Sequence, residues 1–181
     1  NIGIKILTGD SKEVAGVVAF SVGLSKSATD VLTAKELFAL PEDERTHALE
    51  TINVFARVSP EEKYKIIQLL QKKYQVGFLG EGINDAPALK IANVAIVVES
   101  ASDIARESAD IILLERSLGV IVNAVGEGRT IFTNTIKYIA STLSSNFGNF
   151  YAVAISSLFI PFLHMLPLQI LLVNLLSDFP A

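Results

Sequence analysis

Short apolar runs rich in β-branched residues alternate with amphipathic stretches over the first two thirds of the chain. The runs are "IGIKIL", "DVLT", "NVFA", "QVGFL", "VAIVV" and "DIILL". The stretches between them carry helix signals, such as Ser59 and Pro60 ahead of "EEKYKIIQLLQKKY", which suit an N-cap and a first helical turn. This alternation predicts an α/β fold in which a doubly wound parallel sheet has helices on both faces.

The last third of the chain differs, because no Asp, Glu, Lys or Arg occurs from Tyr138 to Ser177. About 40 residues is the length of two membrane crossings of about 20 residues each. Pro161 and Pro167 interrupt the stretch near its middle, as expected of a turn between two helices. The pattern predicts a transmembrane α-helical hairpin, and two buried helices of a large soluble protein are the alternative.

These two patterns divide the chain into a predicted α/β part and two predicted membrane helices. Basic residues precede the uncharged stretch, which places the α/β part in the cytoplasm by the positive-inside rule. The predicted segments are 1–134, 135–162 and 163–181.

Composition excludes several classes of protein. Cysteine is absent, which excludes a disulfide framework and a thiolate metal site. The net charge of -4 argues against a nucleic-acid partner. No targeting sequence is visible at the start, and the chain begins as a fragment of a longer protein would.

Four polar clusters follow predicted strands: "TGD", "ARVSPEEK", "GEGIND" and "ESASD". In a doubly wound sheet, ligands bind in the loops beyond the carboxyl ends of the strands. We therefore expect these independent segments to meet at one edge of the sheet.

The clusters contain the groups that a phosphate and magnesium site needs. Glu81 and Asp85 offer two carboxylates in a loop with flexible glycines, a pattern that favours a hard cation such as Mg²⁺. Lys63, Thr8 and Asn84 add a cation, a hydroxyl and an amide for a phosphoryl group. Each cluster alone also has an ordinary explanation, since "TGD" suits a strand-to-helix turn and a lysine is usually solvated.

Four of these segments resemble one family. "KILTGD", "FARVSPEEK", "GEGINDAPAL" and "ADIILLE" are similar to the second half of the phosphorylation domain of P-type ATPases, cation pumps with the haloacid-dehalogenase fold. "SSNFGN" and "LLVNLLSDFPA" resemble the family's fifth and sixth transmembrane helices. "SADIILLERSL" and "FIPFLHMLPLQILL" resemble the magnesium-transporting branch. The resemblance implies an incomplete haloacid-dehalogenase-like sheet followed by membrane helices.

The resemblance assigns roles to residues of the first two polar clusters. Thr8 would bind the phosphoryl oxygens, and Lys63 would neutralise their charge. Gly9, Asp10 and Arg57 would lie near the nucleotide. ATP would be the substrate and Mg²⁺ the catalytic metal.

The loop after the fourth strand would hold the metal. Glu81 occupies the position of a metal-binding aspartate, Asn84 would bind phosphate, and Asp85 would support the metal and the lysine. Glutamate at position 81 departs from the family pattern. The family's phosphorylated aspartate is also absent from this chain, as are the nucleotide-binding and actuator domains. We therefore expect the chain by itself to be inactive and to need the N-terminal segments of the same pump.

Polar residues near the end of the chain are candidate ligands of a transported cation. Asn174 and Asp178 are four residues apart and share a helix face, and Pro180 frees a carbonyl behind them. Asn149 and Ser145 are spaced alike on the preceding predicted helix. Oxygen ligands favour a hard ion such as Mg²⁺. Interhelical hydrogen bonds and an interfacial Asp178 are the alternative.

Three functions are compatible with the sequence. The first is a piece of an ATP-driven, magnesium-transporting pump of the bacterial inner membrane. The second is a membrane-tethered phosphatase of the same fold. The third is a non-catalytic, truncated pump that acts as a binding or regulatory subunit.

Overall fold

The computed structural model describes residues 2–115, 117–160, 162 and 166–178. The chain divides into two compact units, Asn1–Arg116 and Ser117–Ala181. The strands are β1 (Ile6–Leu7), β2 (Leu32–Thr33), β3 (Val54–Ala56), β4 (Gly77–Gly80), β5 (Val94–Val98) and β6 (Ile111–Leu113). The helices are α1 (Lys12–Ser21), α2 (Ala34–Ala39), α3 (Glu42–Thr51), α4 (Pro60–Gln71), α5 (Ala86–Ile91), α6 (Asp103–Glu107), α7 (Leu118–Phe159) and α8 (Pro167–Asp178), and a 3-10 turn spans Ile83–Asp85.

All six predicted strands form, but they make two parallel sheets of three strands. The strand orders are β1-β3-β2 and β4-β5-β6. Among the described residues, β1 pairs with β3 and β4 pairs with β5, so each of these two strands keeps one edge without a partner. The predicted parallel α/β architecture is therefore present, but as two sheets, because no described strand connects β1 to β4.

Helices cover both faces of the first sheet, as the sequence predicts. In β3 the side chain of Phe55 joins a core with Leu37, Leu49 and Ile66 from α2, α3 and α4. The alternate residues Val54 and Ala56 pack instead with Ala15 and Ala19 of α1. Successive side chains of a strand point to opposite faces, so this separation into two cores defines a doubly wound arrangement.

Capping residues fix the helix ends that the sequence indicates. Ser59 and Glu62 form a capping box at the start of α4, and Ser11 caps α1. Gly23, with φ +73°, follows α1 in the left-handed conformation that ends many helices. Strand β1 is shorter than the predicted "IGIKIL" because its pairing with β3 begins only at Ile6.

The second unit contains α7, of 42 residues, and α8, of 12 residues. Helix α7 continues through residues 134 and 135, where the sequence predicted a boundary. No helix in the described part of the chain is both long enough and apolar enough to cross a membrane, so the predicted hairpin is not found there. The prediction relied on the absence of charge, whereas α7 is rich in Ser, Thr, Asn and Gly and α8 is short.

Candidate functional site

The loops that follow β1 and β3 are joined through their backbones. The N–H of Val58 donates to the carbonyl of Thr8 at 2.9 Å, and the N–H of Arg57 donates to the carbonyl of Asp10 at 2.9 Å. These bonds continue the β1–β3 pairing beyond the strand ends. They hold the predicted "TGD" and "ARVSP" segments side by side.

Within the first loop, Thr8 and Asp10 bind each other. The Thr8 hydroxyl donates to Asp10 Oδ2 at 2.7 Å, and the Asp10 N–H donates to Thr8 Oγ1 at 3.2 Å. Thr8 is half-buried, and Gly9 and Asp10 are exposed. A Cβ at Gly9 would meet only the Val58 carbonyl, at 4.0 Å, so nothing described here excludes a side chain at that position. The Thr8 hydroxyl can donate to an external oxygen only if it gives up its hydrogen bond to Asp10.

Arg57 has a left-handed backbone, with φ +51°. It is the only non-glycine residue with positive φ in the described part of the chain. Such a conformation costs about 1–3 kcal/mol and persists where surrounding bonds impose it. Here the Arg57 N–H is bonded to Asp10, and its side chain is exposed. The strain places a guanidinium at the edge where the two loops meet.

Lys63 and Asp85 form the link between the third and fourth strand ends. Lys63 lies in the first turn of α4, and its Nζ is 2.7 Å from Asp85 Oδ1. Both side chains are only 16% exposed. The other carboxylate oxygen, Oδ2, accepts from the N–H groups of Glu81 and Gly82 at 3.3 and 3.4 Å. Asp85 is therefore held by three donors and fixes the position of the lysine.

Gly80 makes this arrangement possible. A Cβ at position 80 would lie 2.8 Å from Asp85 Cβ and 3.1 Å from Phe78 Cε1. No real Cβ approaches another carbon so closely without displacing it. Asp85 reaches Lys63 because the residue beside it has no side chain.

Glu81 and Asn84 are the exposed groups of the fourth loop. Neither side chain hydrogen-bonds to a described residue, whereas the Glu81 carbonyl accepts from the N–H of Ser102 at 3.1 Å. That bond ties the fourth loop to the "ESASD" segment after β5. Backbone bonds and one ion pair thus connect all four predicted clusters in sequence, from β1 to β5.

The carboxylates of these loops suit a magnesium ion only together with other ligands. Among the described residues no group of three acidic or histidine side chains could hold a metal by itself. Magnesium in proteins is commonly held by one or two carboxylates together with substrate phosphates and water. The exposed Glu81 carboxylate fits that pattern, whereas Asp85 is already bonded to Lys63 and two amides. The site fits Mg²⁺ as a partner of a phosphoryl group, with Glu81 as the free carboxylate.

The structure also contains site features that the sequence did not predict. They are the close approach of Gly80 to Asp85, the left-handed Arg57 and the bond from Ser102 to Glu81. The "GEG" motif is the sequence signal from which the close approach of Gly80 to Asp85 could have been predicted. No signal in the sequence distinguishes Arg57 or Ser102 from ordinary loop residues.

The candidate ligands of a transported ion lie in the other unit. Asn149 is half-buried in α7. Asn174 and Asp178 lie four residues apart in α8, as predicted, and their side chains are outside the described part of the structure, as is Pro180. Their shared role stays a prediction.

Comparison with known proteins identifies close sequence relatives. Over 178 residues, or 98% of the chain, it is 50% identical to the magnesium-transporting ATPase, P-type 1, of Escherichia coli (strain K12). Over 174 residues it is 40% identical to a calcium-transporting ATPase of Listeria monocytogenes. Each alignment covers 20% of the relative, so the chain spans about a fifth of the length of the curated relatives it matches. No family model matches the chain.

Solved structures show the same fold. A zinc-transporting PIB-type ATPase in the E2.Pi state matches with a TM-score of 0.66 over 94% of this chain and 22% of the other, at 24% identity. The catalytic domain of the CPx-ATPase CopB-B matches with a TM-score of 0.51 over 68% of this chain and 39% of the other, at 25% identity. With the loops already described, these relationships lead to one conclusion: the chain is a segment homologous to the P-type ATPases, with parallel sheets like those of their catalytic domain.

Proposed function

We propose that this chain is part of an ATP-driven magnesium pump and supplies its phosphate and Mg²⁺ site. The observation that carries the proposal is the Lys63–Asp85 pair, held at 2.7 Å and largely buried. A partly buried lysine fixed beside an open loop edge suits a phosphoryl group, whose transfer depends on positioning and charge neutralisation. The 50% identity to magnesium-transporting ATPases supports the choice of cation.

Each side chain of the site has a proposed part in phosphoryl transfer. Lys63 neutralises the charge on the phosphoryl oxygens, and Asp85 positions Lys63. Thr8 and Asn84 donate hydrogen bonds to those oxygens. Arg57 binds the anionic nucleotide.

Three further residues complete the site, two near the nucleotide and one at the metal. Gly9 and Asp10 lie beside the nucleotide, and Asp10 accepts a hydrogen bond from the Thr8 hydroxyl. Glu81 holds the metal, and Mg²⁺ would neutralise charge on the phosphoryl oxygens when bound.

The nucleophile must come from another part of the longer protein. Thr8 follows β1, and Glu81 follows β4, and each of these strands keeps an edge without a partner among the described residues. A parallel strand that pairs with both edges would end between the two loops. We propose that such a strand carries the phosphorylated carboxylate to the position between Thr8 and Lys63.

For the full-length protein we propose that Asn149, Asn174 and Asp178 bind the transported Mg²⁺. The protein would lie in a bacterial inner membrane, with the phosphorylation site on the cytoplasmic side. The uncharged stretch from 138 to 177 supports this, as does similarity to transporting ATPases over 98% of the chain. Asn174 and Asp178 share one face of α8 by their spacing.

The test is ATP-driven ion flux by the full-length parent in proteoliposomes, with Mg²⁺, Ca²⁺ and Mn²⁺ compared. We expect Mg²⁺ flux to dominate, and Ca²⁺ flux alone would assign the protein to the chemistry named for its Listeria relative. Asp178→Ala should abolish flux while leaving phosphoenzyme formation in place. Lys63→Met should abolish both. Normal flux by Asp178→Ala would remove that residue from the ion site.

Glu81 provides a second test of the catalytic site. Its carboxylate extends one methylene beyond that of an aspartate, roughly 1 Å, and a misplacement of about 1 Å can cost on the order of 100-fold in a positioned reaction. We expect Glu81→Asp to raise the ATPase rate of the full-length parent by about tenfold at saturating Mg²⁺. Equal or slower turnover would show that the loop accommodates glutamate well.

A further inference from the structure

A cleft of about 290 Å³ opens between helices α2, α3 and α4 of the first unit. One wall comes from α4 and its C-terminal end, where the lining residues recur at the three- and four-residue spacings of a single helix face. The other wall comes from α2 and α3. The lining residues are Phe38, Arg45, Lys65, Gln68, Leu69 and Lys72. Three of them are cations and none is acidic, so the cleft, here called the cationic cleft, concentrates positive charge in a chain whose net charge is -4.

Arg45 is held at one side of the cationic cleft by neighbouring backbone groups and a ring. Its Nη2 donates to the carbonyl of Leu40 at 2.8 Å and to that of Phe38 at 3.3 Å. Its guanidinium carbon lies 5.6 Å from the centre of the Phe38 ring, within the range of a cation–π contact. Among the described residues Arg45 forms no salt bridge, and its buried Nε has no hydrogen-bond partner. The guanidinium is therefore fixed without being neutralised, and its charge remains available to an anion.

The two lysines of the cationic cleft are also incompletely neutralised. Lys65 is exposed and makes no hydrogen bond or salt bridge to a described residue, although Glu61 precedes it by one helical turn. Lys72 lies 3.3 Å from Glu42, but these side chains are 66% and 76% exposed, and an exposed pair contributes little in water. Three positive charges therefore face one weakly held carboxylate.

Two other lining residues give the cleft an apolar surface. Phe38 and Leu69 are half-buried and pack against the core that contains Phe55 and Ile66. Ligand pockets combine a mostly apolar lining with a few polar groups, and their volumes begin at about 300 Å³. The cationic cleft lies at the lower end of that range. Its size suits a small ligand, and its charge suits an anion with an apolar part.

We propose that the cationic cleft binds a small organic phosphate. The phosphate group lies among the three cations, and an apolar ring lies on Phe38 and Leu69. A phosphate monoester carries a charge of about -1.5 to -2 near pH 7 and three strong acceptor oxygens, which matches three cations opposed by one carboxylate. The two apolar residues favour such a ligand over inorganic phosphate.

This site is separate from the proposed phosphoryl site, although both use α4. Lys63 and Lys65 are two residues apart, which is about 200° around a helix. Lys63 reaches Asp85 at 2.7 Å, whereas Lys65 lines the cleft on the other side of α4. Binding in the cleft therefore does not depend on the proposed function, and either can fail without the other.

Lysine acetylation tests the proposal at each residue separately. Phenyl phosphate is the probe, inorganic phosphate lacks its ring, and phenol lacks its phosphate. The 181-residue chain and the full-length parent are acetylated without Mg²⁺, and the labelled peptides are quantified by mass spectrometry. Lys90 is the matched control, because it is exposed in the last turn of α5 and does not line the cleft.

We expect phenyl phosphate to slow the acetylation of Lys65 and Lys72 in both proteins. At ten times its Kd only about a tenth of the protein stays free, so these rates should fall about tenfold, and the rate at Lys90 should change less than about twofold. Lys65→Gln should raise the Kd measured at Lys72 by about tenfold. It should leave folding unchanged, because Lys65 has no described partner, and Lys90→Gln should leave that Kd unchanged.

Several results would overturn the proposal. Slowing at Lys63 alone would assign the probe to the phosphoryl site, and equal slowing at Lys90 would indicate a non-specific effect of charge. Equal slowing by inorganic phosphate or by phenol would show that the ring and the phosphate are not both recognised. Slowing in the 181-residue chain but not in the parent would show that the longer protein covers the cleft. Protection by hexaglutamate equal to that by phenyl phosphate would assign the cleft to an acidic protein segment instead.

Discussion

Gly80→Ala is the smallest change that should disrupt the candidate site. The added Cβ would lie 2.8 Å from Asp85 Cβ, whereas ordinary contact begins at 3.4 Å, so the two groups must separate by about 0.6 Å. Phe78, at 3.1 Å, limits movement on the other side. Gly80 does not have a left-handed backbone, so steric contact alone determines the effect.

The expected cost follows from overpacking. Forcing one extra methyl group into a filled position typically costs about 1–3 kcal/mol. The displacement of Asp85 also disturbs its bond to Lys63 and the two amide bonds to its other oxygen. We expect the free energy of unfolding to fall by about 1–3 kcal/mol and the ATPase rate of the full-length parent to fall by on the order of 100-fold.

The assay is urea unfolding of the chain, with Gly77→Ala as the matched control in the same strand. A Cβ at Gly77 would meet only the Val94 carbonyl, at 3.9 Å. That variant should be neutral or more stable by about 0.5–1 kcal/mol, because alanine has less backbone entropy to lose than glycine. If Gly80→Ala proves as stable as Gly77→Ala, the close packing of Gly80 against Asp85 is not what fixes the site.

The remaining predictions concern charge and catalysis. A double-mutant cycle of Lys63→Met and Asp85→Asn should give a coupling energy of about 1.5–3 kcal/mol. The exposed Lys72–Glu42 pair should give less than about 0.5 kcal/mol, and equal coupling energies would contradict the partly buried placement of the Lys63–Asp85 pair. The Thr33 N–H, followed by the side chains of Lys12 and Thr33, lowers the pKa of Glu36 from 4.5 to about 2, so its stabilisation is complete above about pH 4.5 and is lost as the pH falls towards about 2. Glu36→Gln removes the charge, although glutamine can still accept from the Thr33 N–H. It should flatten acid unfolding curves in that window, and an unchanged curve would show that the Glu36 charge does not stabilise the fold. The purified 181-residue chain should form no acyl phosphate from labelled ATP, and a stable phosphoenzyme would show that it contains a nucleophile after all.

The sequence by itself determined the strands, most helix ends and the loop segments that meet beyond the strand ends. Strand positions follow from β-branched runs, and Ser11 and Ser59 cap the helices that their positions predict, because both signals are local. The four polar clusters are also predictable from the sequence, since the carboxyl ends of parallel strands lead into loops at one edge of the sheet. The uncharged stretch predicted a membrane hairpin from composition alone, and no helix of the described residues is both long enough and apolar enough to cross a membrane.

Only the tertiary structure decided how those segments meet. The division into two sheets depends on which strands pair, and pairing links residues far apart in the chain. The partners of Asp85 likewise depend on how closely α4 approaches the loop after β4. The position of Asp85 in that loop requires a glycine at position 80. The left-handed Arg57 arises from a bond to Asp10, 47 residues earlier in the printed sequence. These features depend on packing between distant segments, which neither propensity nor periodicity records.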